Sequence, residues 1–159
     1  MNKMMVANAV RAAFNYDPAT GELQRLFKNG TVKTVGSLHK SGYVQVAFDG
    51  RVYYAHRLIW LIVHGCWPTG EIDHKNGIRS DNAWTNLRDV SASTNQQNQR
   101  LAHAHSLIGM LGVSPKRSKF RARIRIGASQ VSLGTFVDPR EAHSAYVSAK
   151  RLHHDGCTL

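Results

Sequence analysis

Asp73-His74, Asn86 and Asn95 set one carboxylate, one imidazole and two amides in an order that ordinary core or surface demands do not produce. Around them the chain reads Glu71-Ile72-Asp73-His74-Lys75-Asn76-Gly77, then Asn86-Leu87-Arg88, then Asn95. That set suits one divalent metal and one general base. A carboxylate and an amide oxygen are hard ligands of the kind Mg²⁺ or Mn²⁺ takes, with positions left for a phosphate and a water. A neutral imidazole can take the proton from that water. Phosphodiester hydrolysis has these needs: the anionic charge is neutralised, a water is activated in line, and the departing 3′ oxygen is stabilised.

The elements that must position these groups are short. Asp73 and His74 are expected to end a strand, with Asn76-Gly77 opening a polar loop. Neighbouring strand residues face opposite sides, so Asp73 reaches a metal beside His74 only through a local bend. Leu87 and Val90 predict a second short strand. Ser91 is placed to cap a helix running through Asn95 to Arg100. That helix is polar on nearly every side, so it is either solvated or laid against something polar such as a DNA groove. Upstream, Val6, Val10 and Phe14 sit at helical spacing. Asp17-Pro18-Ala19-Thr20-Gly21 is a turn before a strand over Glu22 to Phe27. Asp49-Gly50 joins two strands as a hairpin. The apolar run from His56 to His64 stops at Gly65, as a buried helix and its cap would.

The net charge narrows the partners. Twenty-one Lys and Arg face ten acidic residues, a formal charge of +11, in a chain of 159 residues. Such a balance calls for a polyanion, and double-stranded DNA is the first candidate because phosphate neutralisation dominates affinity there. A membrane surface is disfavoured: no long basic amphipathic helix appears. The run Leu58 to Val63 is too short to span a bilayer, and Met1 to Arg11 lacks the pattern of a signal peptide. A cytoplasmic location is expected. Cys66 and Cys157 form no CxxC pair, which argues against structural zinc and a disulfide framework. His56, His64, His103 and His105 show no partner pattern and read as structural or exposed.

After a patternless stretch, Leu101 to Leu111, a second pattern begins. Phe120, Ala122, Ile124 and Ile126 alternate with Arg121, Arg123 and Arg125, predicting a half-buried strand with an arginine face. Val131 to Phe136 returns as a second strand. Asp138-Pro139-Arg140-Glu141 reads as a capping box with Pro at the first helical position. Ala142, Ala145, Tyr146 and Ala149 then mark the face of a helix that can pack closely on a sheet. The bland reading of the arginine strand is a solvated edge kept soluble by charge.

Asp73-His74, Asn86 and Asn95 resemble the HNH nuclease motif in its HNN variant, the type found in phage and intron-encoded homing endonucleases. Ala55-His56-Arg57-Leu58, Trp67-Pro68, Asp81-Asn82, Asn86-Leu87-Arg88 and Asn95-Gln96-Gln97-Asn98 extend the likeness over roughly residues 43 to 100. The resemblance implies a ββα-metal unit in which Asp73 and Asn95 ligate Mg²⁺ or Mn²⁺ and His74 is the general base. It further implies that Asn86 ties the loop and orients His74, while Arg57 or Arg88 holds phosphate. Asn98 and Arg100, on the polar helix, are also placed toward DNA. Where some HNH relatives carry zinc-stapling cysteines, this chain has none, so the apolar helix at 58 to 63 must supply the packing. Farther on, Gly112-Val113-Ser114, Lys119 to Ile124, Leu133 to Phe136 and Glu141 to Tyr146 resemble the APETALA2-type DNA-binding domain, with Phe120 where that family commonly has Trp. This second resemblance implies that Lys116, Arg117, Lys119, Arg121, Arg123 and Arg125 face DNA from a three-stranded sheet.

The expected class is α+β: a nuclease domain over 1–100, made of a ββα-metal module with an N-terminal β-rich extension, a linker over 101–110, and a small three-stranded antiparallel sheet with a helix over 111–159. The expected activity is metal-dependent, site-specific endonuclease action of the homing type by a monomer, with dimerisation as an option. The rivals are a DNA-binding protein with an inactive nuclease site and a non-specific DNA-degrading nuclease.

Overall fold

The computed structural model describes residues 3–102 and 105–158. By density of contacts the chain divides into two units, Met1–Ala92 and Ser93–Leu159. Together they are of mixed α and β type, with small antiparallel sheets. Among the described residues no helix is long and apolar enough to cross a membrane.

The first unit opens with helix α1 (Lys3–Ala13), which buries Ala7 and Val10. Phe14, at helical spacing in the sequence, instead starts strand β1 (Phe14–Tyr16). There it is buried and pairs across the ladder with Arg25, so sheet pairing overrides the helical spacing. Strand β2 (Leu23–Leu26) pairs with β1, and β3 (Val32–Thr34) pairs with β2, all antiparallel. A second sheet is formed by β4 (Ser37–Leu38), β5 (Val44–Phe48) and β6 (Arg51–Tyr54). Its hairpin turn places Asp49 at φ 49° and Gly50 at φ 71°. Both angles are left-handed, the geometry whose twist matches antiparallel strands.

Helix α2 (Ala55–His64) follows directly and ends at Gly65, left-handed at φ 74°, whose N–H reaches the Leu61 carbonyl. Leu58, Ile59 and Leu61 are fully buried, in one core with Val10, Phe14, Leu23, Val46, Ile72 and Leu87. Burying each such side chain contributes about 1.5–3 kcal/mol. The apolar helix therefore anchors the last two strands, β7 (Glu71–His74) and β8 (Leu87–Val90). These pair antiparallel with Asp73 opposite Arg88 and His74 opposite Leu87. The loop between them carries one 3-10 turn, Trp84–Asn86. Strands β1, β3 and β4 were not expected from the sequence. At two or three residues each they are too short to show an alternation.

Helix α3 (Ala92–Gln97) begins directly after Ser91, as expected, but stops before Asn98. The sequence reading carried it to Arg100. Its end tightens into shorter turns, Asn98 N–H to Asn95 O and Gln99 N–H to Gln96 O. The next backbone and side-chain groups then bond to the C-terminal residues.

In the second unit β9 (Val113–Lys116), β10 (Lys119–Ile126) and β11 (Ser129–Phe136) form an antiparallel sheet in the order β11-β10-β9. The β10–β11 register shifts between Ala122 and Arg123, a bulge that leaves β10's own alternation intact. Helix α4 (Pro139–His153) is capped by Asp138, whose carboxylate accepts from Arg140 N–H at 2.7 Å. Val113, Ala122 and Ala142 are buried at the centre, with Phe120, Leu133 and Phe136 packed around them, and Ile124 is buried as well. Gly112 is required by its neighbour: a Cβ there would fall 2.0 Å from the Tyr146 ring, and its φ is +73°.

Candidate active site

Strand β7 is buried on both faces, which is rare for a strand ending in two ionisable residues. Ile72, Asp73 and His74 are all buried, with His74 only 3% exposed. Burying a charge is costly unless it is paired. Asp73 meets that demand with Arg88 directly across the ladder: Nε and an Nη of Arg88 donate to Asp73 Oδ2 at 2.8 and 2.6 Å. Arg88, placed toward phosphate on sequence grounds, is thus committed to the carboxylate. A carboxylate offers about four acceptor positions, so this contact leaves capacity in principle for a hard cation.

His74 makes a side-chain bond that the sequence reading did not anticipate. Its Nε2 lies 3.2 Å from Oδ1 of Asn82, itself buried. An amide oxygen accepts, so Nε2 carries the proton and the ring's basic lone pair lies on Nδ1. Burial is the main influence on His74 and pulls its pKa below the ordinary histidine value; the Asn82 bond, Asp73 and Asp81 oppose that pull, and Arg79 adds to it. The ring is therefore neutral at neutral pH, the state a general base needs.

Asn82 is held from the N-terminal extension. Tyr16 Oη donates to the Asn82 carbonyl at 2.9 Å, and Trp84 N–H donates to the Pro18 carbonyl. Gly21 packs against the same backbone, where a Cβ would fall 2.4 Å from Asn82 and Ala83 atoms. Burial, then the nearby Asp17 and Asp81, push the Tyr16 phenol up to about 12, so it stays a donor. The signal for Asn82 was present as the Asp81-Asn82 word, but only the fold turns that amide toward His74.

Asn86 closes the loop that carries these groups. Its carbonyl accepts from Lys75 N–H, its Oδ1 from Asn76 N–H, and its Nδ2 donates to the Asp81 carbonyl, all within 2.9 Å. Asn76 in turn donates to Asp81 Oδ2. Loop-tying is the geometry recorded for Asn86, while the amide bonded to His74 is that of Asn82.

His56 also belongs to this neighbourhood. Its ring meets His74 edge to face with centroids 5.2 Å apart, and Tyr43 touches both histidines. Tyr54 stacks on His56. Burial, then His74 and Arg57, lower the His56 pKa to about 3, and its buried Nδ1 has no hydrogen-bond partner among the described residues. Arg79 covers the Tyr43 ring at 5.0 Å and donates to the Ser41 carbonyl. Arg57, in the first turn of α2, is near enough to influence both His56 and Asp89. His64 lies against Trp60 and Trp84, and His105 is exposed. His103 lies outside the described residues.

Among the described residues no three His, Cys, Asp or Glu side chains gather as a metal-holding group. The Asp73 carboxylate is a hard oxygen donor of the kind that divalent cations take. Asn95 lies on α3 and, like Asn98 and Arg100 just beyond that helix, belongs to the second unit.

In the second unit, Arg121, Arg123 and Arg125 alternate with Ala122 and Ile124 along β10, the apolar residues buried and the arginines not. Arg123 donates to Gln130 Oε1 on β11. Lys116, Arg117 and Lys119 are exposed at the β9–β10 turn, with Arg117 left-handed at φ 55°. Ser114 and Arg121 face each other across β9 and β10, and each has a buried polar atom without a partner among the described residues.

Residues 53–99 match the family model described as HNH endonuclease. The match supports an HNH nuclease, with DNA as the substrate a nuclease domain implies and a divalent metal as the cofactor such nucleases generally use. No curated protein matches the chain, and no solved structure does.

Proposed function

We propose that this protein is a metal-dependent, site-specific DNA endonuclease of the homing type. Its nuclease module would extend over 1–100 and its APETALA2-like reader over 111–159. The observation that carries the reading is the buried Asp73-His74 pair at the end of β7, with His74 bonded through Nε2 to Asn82, inside the matched segment. Buried ionisable neighbours with a fixed tautomer serve no packing purpose that apolar residues would not serve better.

In this reading Nδ1 of His74 takes the proton of the attacking water. Asn82 holds the ring in that tautomer, and Asn86 keeps the loop in shape. Asp73 and Asn95 would hold Mg²⁺ or Mn²⁺, which when bound supplies charge neutralisation at the phosphate and at the departing 3′ oxygen. Arg88 fixes the Asp73 carboxylate. Cleavage leaves 5′ phosphate and 3′ hydroxyl ends. One active site per monomer nicks one strand; a dimer or sequential action cuts both. Lys116, Arg117, Lys119, Arg121, Arg123 and Arg125 give the DNA affinity, the sheet entering the major groove where arginine reads guanine through two hydrogen bonds.

The test is cleavage of supercoiled plasmid carrying a candidate site, in Mg²⁺ and in Mn²⁺, with His74→Ala alongside. Metal-dependent nicking or linearisation that disappears in the variant is the expected result. Tight DNA binding without cleavage by the wild type on DNA containing its footprinted site would replace this reading with a pure DNA-binding protein. Digestion of unrelated plasmids to small fragments would replace site specificity with general DNA degradation.

A further inference from the structure

The short helix that carries Asn95 is fastened at its far end by the last residues of the chain. Lys150, on α4 and only 1% exposed, donates through Nζ to the Gln99 carbonyl. Gly156 N–H donates to Gln97 Oε1 at 3.1 Å. A Cβ on Gly156 would fall 2.2 Å from the Thr94 carbonyl oxygen and 2.9 Å from Gln97 Cβ, on either side of Asn95 in the chain. Thr158 Oγ1 donates to Asn98 Oδ1 and accepts from Arg100 Nη, which also reaches the Thr158 carbonyl at 2.7 Å.

The same tail is tied to the arginine strand. His154, the residue that follows and caps α4, donates through Nε2 to the carbonyl of Arg125 on β10 at 2.6 Å. Cys157 N–H returns to the His154 carbonyl. A continuous path of bonds therefore runs from β10 through His154 to Gly156 and Thr158, and from there to residues 94–100.

A six-residue helix of Ala-Ser-Thr-Asn-Gln-Gln has no buried residue of its own and lies far below the length at which a helix is stable by itself. Its position must come from what it is bonded to. We infer that residues 150–158 are a positioning strap for Asn95, holding the amide in place for the divalent metal and linking it to the DNA-reading strand. The inference rests on the reading of Asn95 as a metal ligand. A group that orients a ligand from behind typically alters metal affinity or activity by about 10–100-fold when removed.

The experiment measures the Mn²⁺ concentration for half-maximal cleavage in the full chain, for Gly156→Val and Thr158→Val beside wild type and Asn95→Ala. DNA affinity is measured in EDTA on the same proteins. Thr158→Val removes two polar contacts without adding bulk, so it remains informative where Gly156→Val fails to fold. The strap predicts a rise of about tenfold or more in the Mn²⁺ requirement. It also predicts recovery of the rate at high Mn²⁺ and wild-type DNA affinity. Wild-type metal dependence in a folded Gly156→Val or in Thr158→Val overturns the strap while leaving the ligand reading standing, provided Asn95→Ala shows a raised requirement. Wild-type metal dependence in Asn95→Ala overturns the ligand reading and the strap with it. Loss of DNA affinity with unchanged metal dependence assigns the tail to the reader alone and also overturns the strap.

Discussion

Nε2 of His74 lies 3.2 Å from Oδ1 of Asn82, and Asn82 is in turn fixed through its own carbonyl by the Tyr16 hydroxyl. The imidazole is thereby oriented by an amide eight positions later, which is itself braced by a strand near the N-terminus. The arrangement resembles a catalytic triad in logic only: imidazole, orienting acceptor and support come from three separate elements.

Removing His74 and removing Asn82 should have effects of different size on the same step. His74→Ala is expected to lower single-turnover cleavage by about 10²–10⁴-fold. Asn82→Ala keeps the base but releases its tautomer, and a loss of about 10–100-fold is expected with DNA affinity unchanged. Equal rates for Asn82→Ala and wild type at saturating metal would remove Asn82 from the positioning role.

The pH profile carries a sign that can be checked. The His74 pKa lies below the ordinary value, so the neutral form is present at pH 7 and the rate should fall only on the acid side of about pH 6.5. The Asn82 bond raises that pKa against the effect of burial. Asn82→Ala should therefore move the acid limb to lower pH while reducing the plateau. An acid limb that moves upward in the variant would contradict this electrostatic account.

His56 links the aromatic cluster to acid stability. Its folded pKa of about 3 lies below the unfolded value, so the unfolded chain binds more protons between the two. The contribution of neutral His56 is fully present above about pH 6.5 and is lost progressively as pH falls toward the folded value. Urea midpoints should drop between about pH 7 and pH 5, and more gently in His56→Phe. Parallel slopes in the two proteins would show that other groups govern acid unfolding.

The Asp73–Arg88 pair should matter for stability as well as for the site. Arg88→Met leaves a 5% exposed carboxylate without the two donated bonds, an expected cost of about 1.5–3 kcal/mol in urea unfolding. An Asp73→Asn, Arg88→Met double variant removes the stranded charge and should recover part of that loss. No recovery would mean that Arg88 acts mainly through its packing.

In the proposed reading of the second unit, phosphate contacts and base contacts are told apart by salt. Arg117→Ala, at the exposed β9–β10 turn, should flatten the slope of log K against log salt by about 0.9. Arg121→Ala should instead cost about 1–3 kcal/mol and relax preference at one base position. Uniform weakening across sequences by both variants would argue against base reading by β10.

The fold was legible wherever a local rule decided it. Asp49-Gly50 dictates a two-residue hairpin because both angles must be left-handed, and Gly65 ends α2 for the same reason. The alternation along β10 separates arginines from core within a single strand. Asp73-His74, Asn86 and Asn95 could likewise be picked out by residue type and order. The roles of their neighbours could not. Whether an amide faces His74 depends on how the 75–86 loop returns, and the fold assigns that contact to Asn82 and the loop closure to Asn86. Arg88 is drawn to Asp73 by ladder register, a property of two strands and not of one. Helix α3 stops at Gln97, where the backbone tightens into shorter turns and the side chains of Gln97 and Asn98 meet groups some sixty positions later. Periodicity and turn chemistry act over a few residues and are written into the chain. Side-chain partnership across a sheet or a loop is set by which backbones approach, and that only the tertiary structure decided.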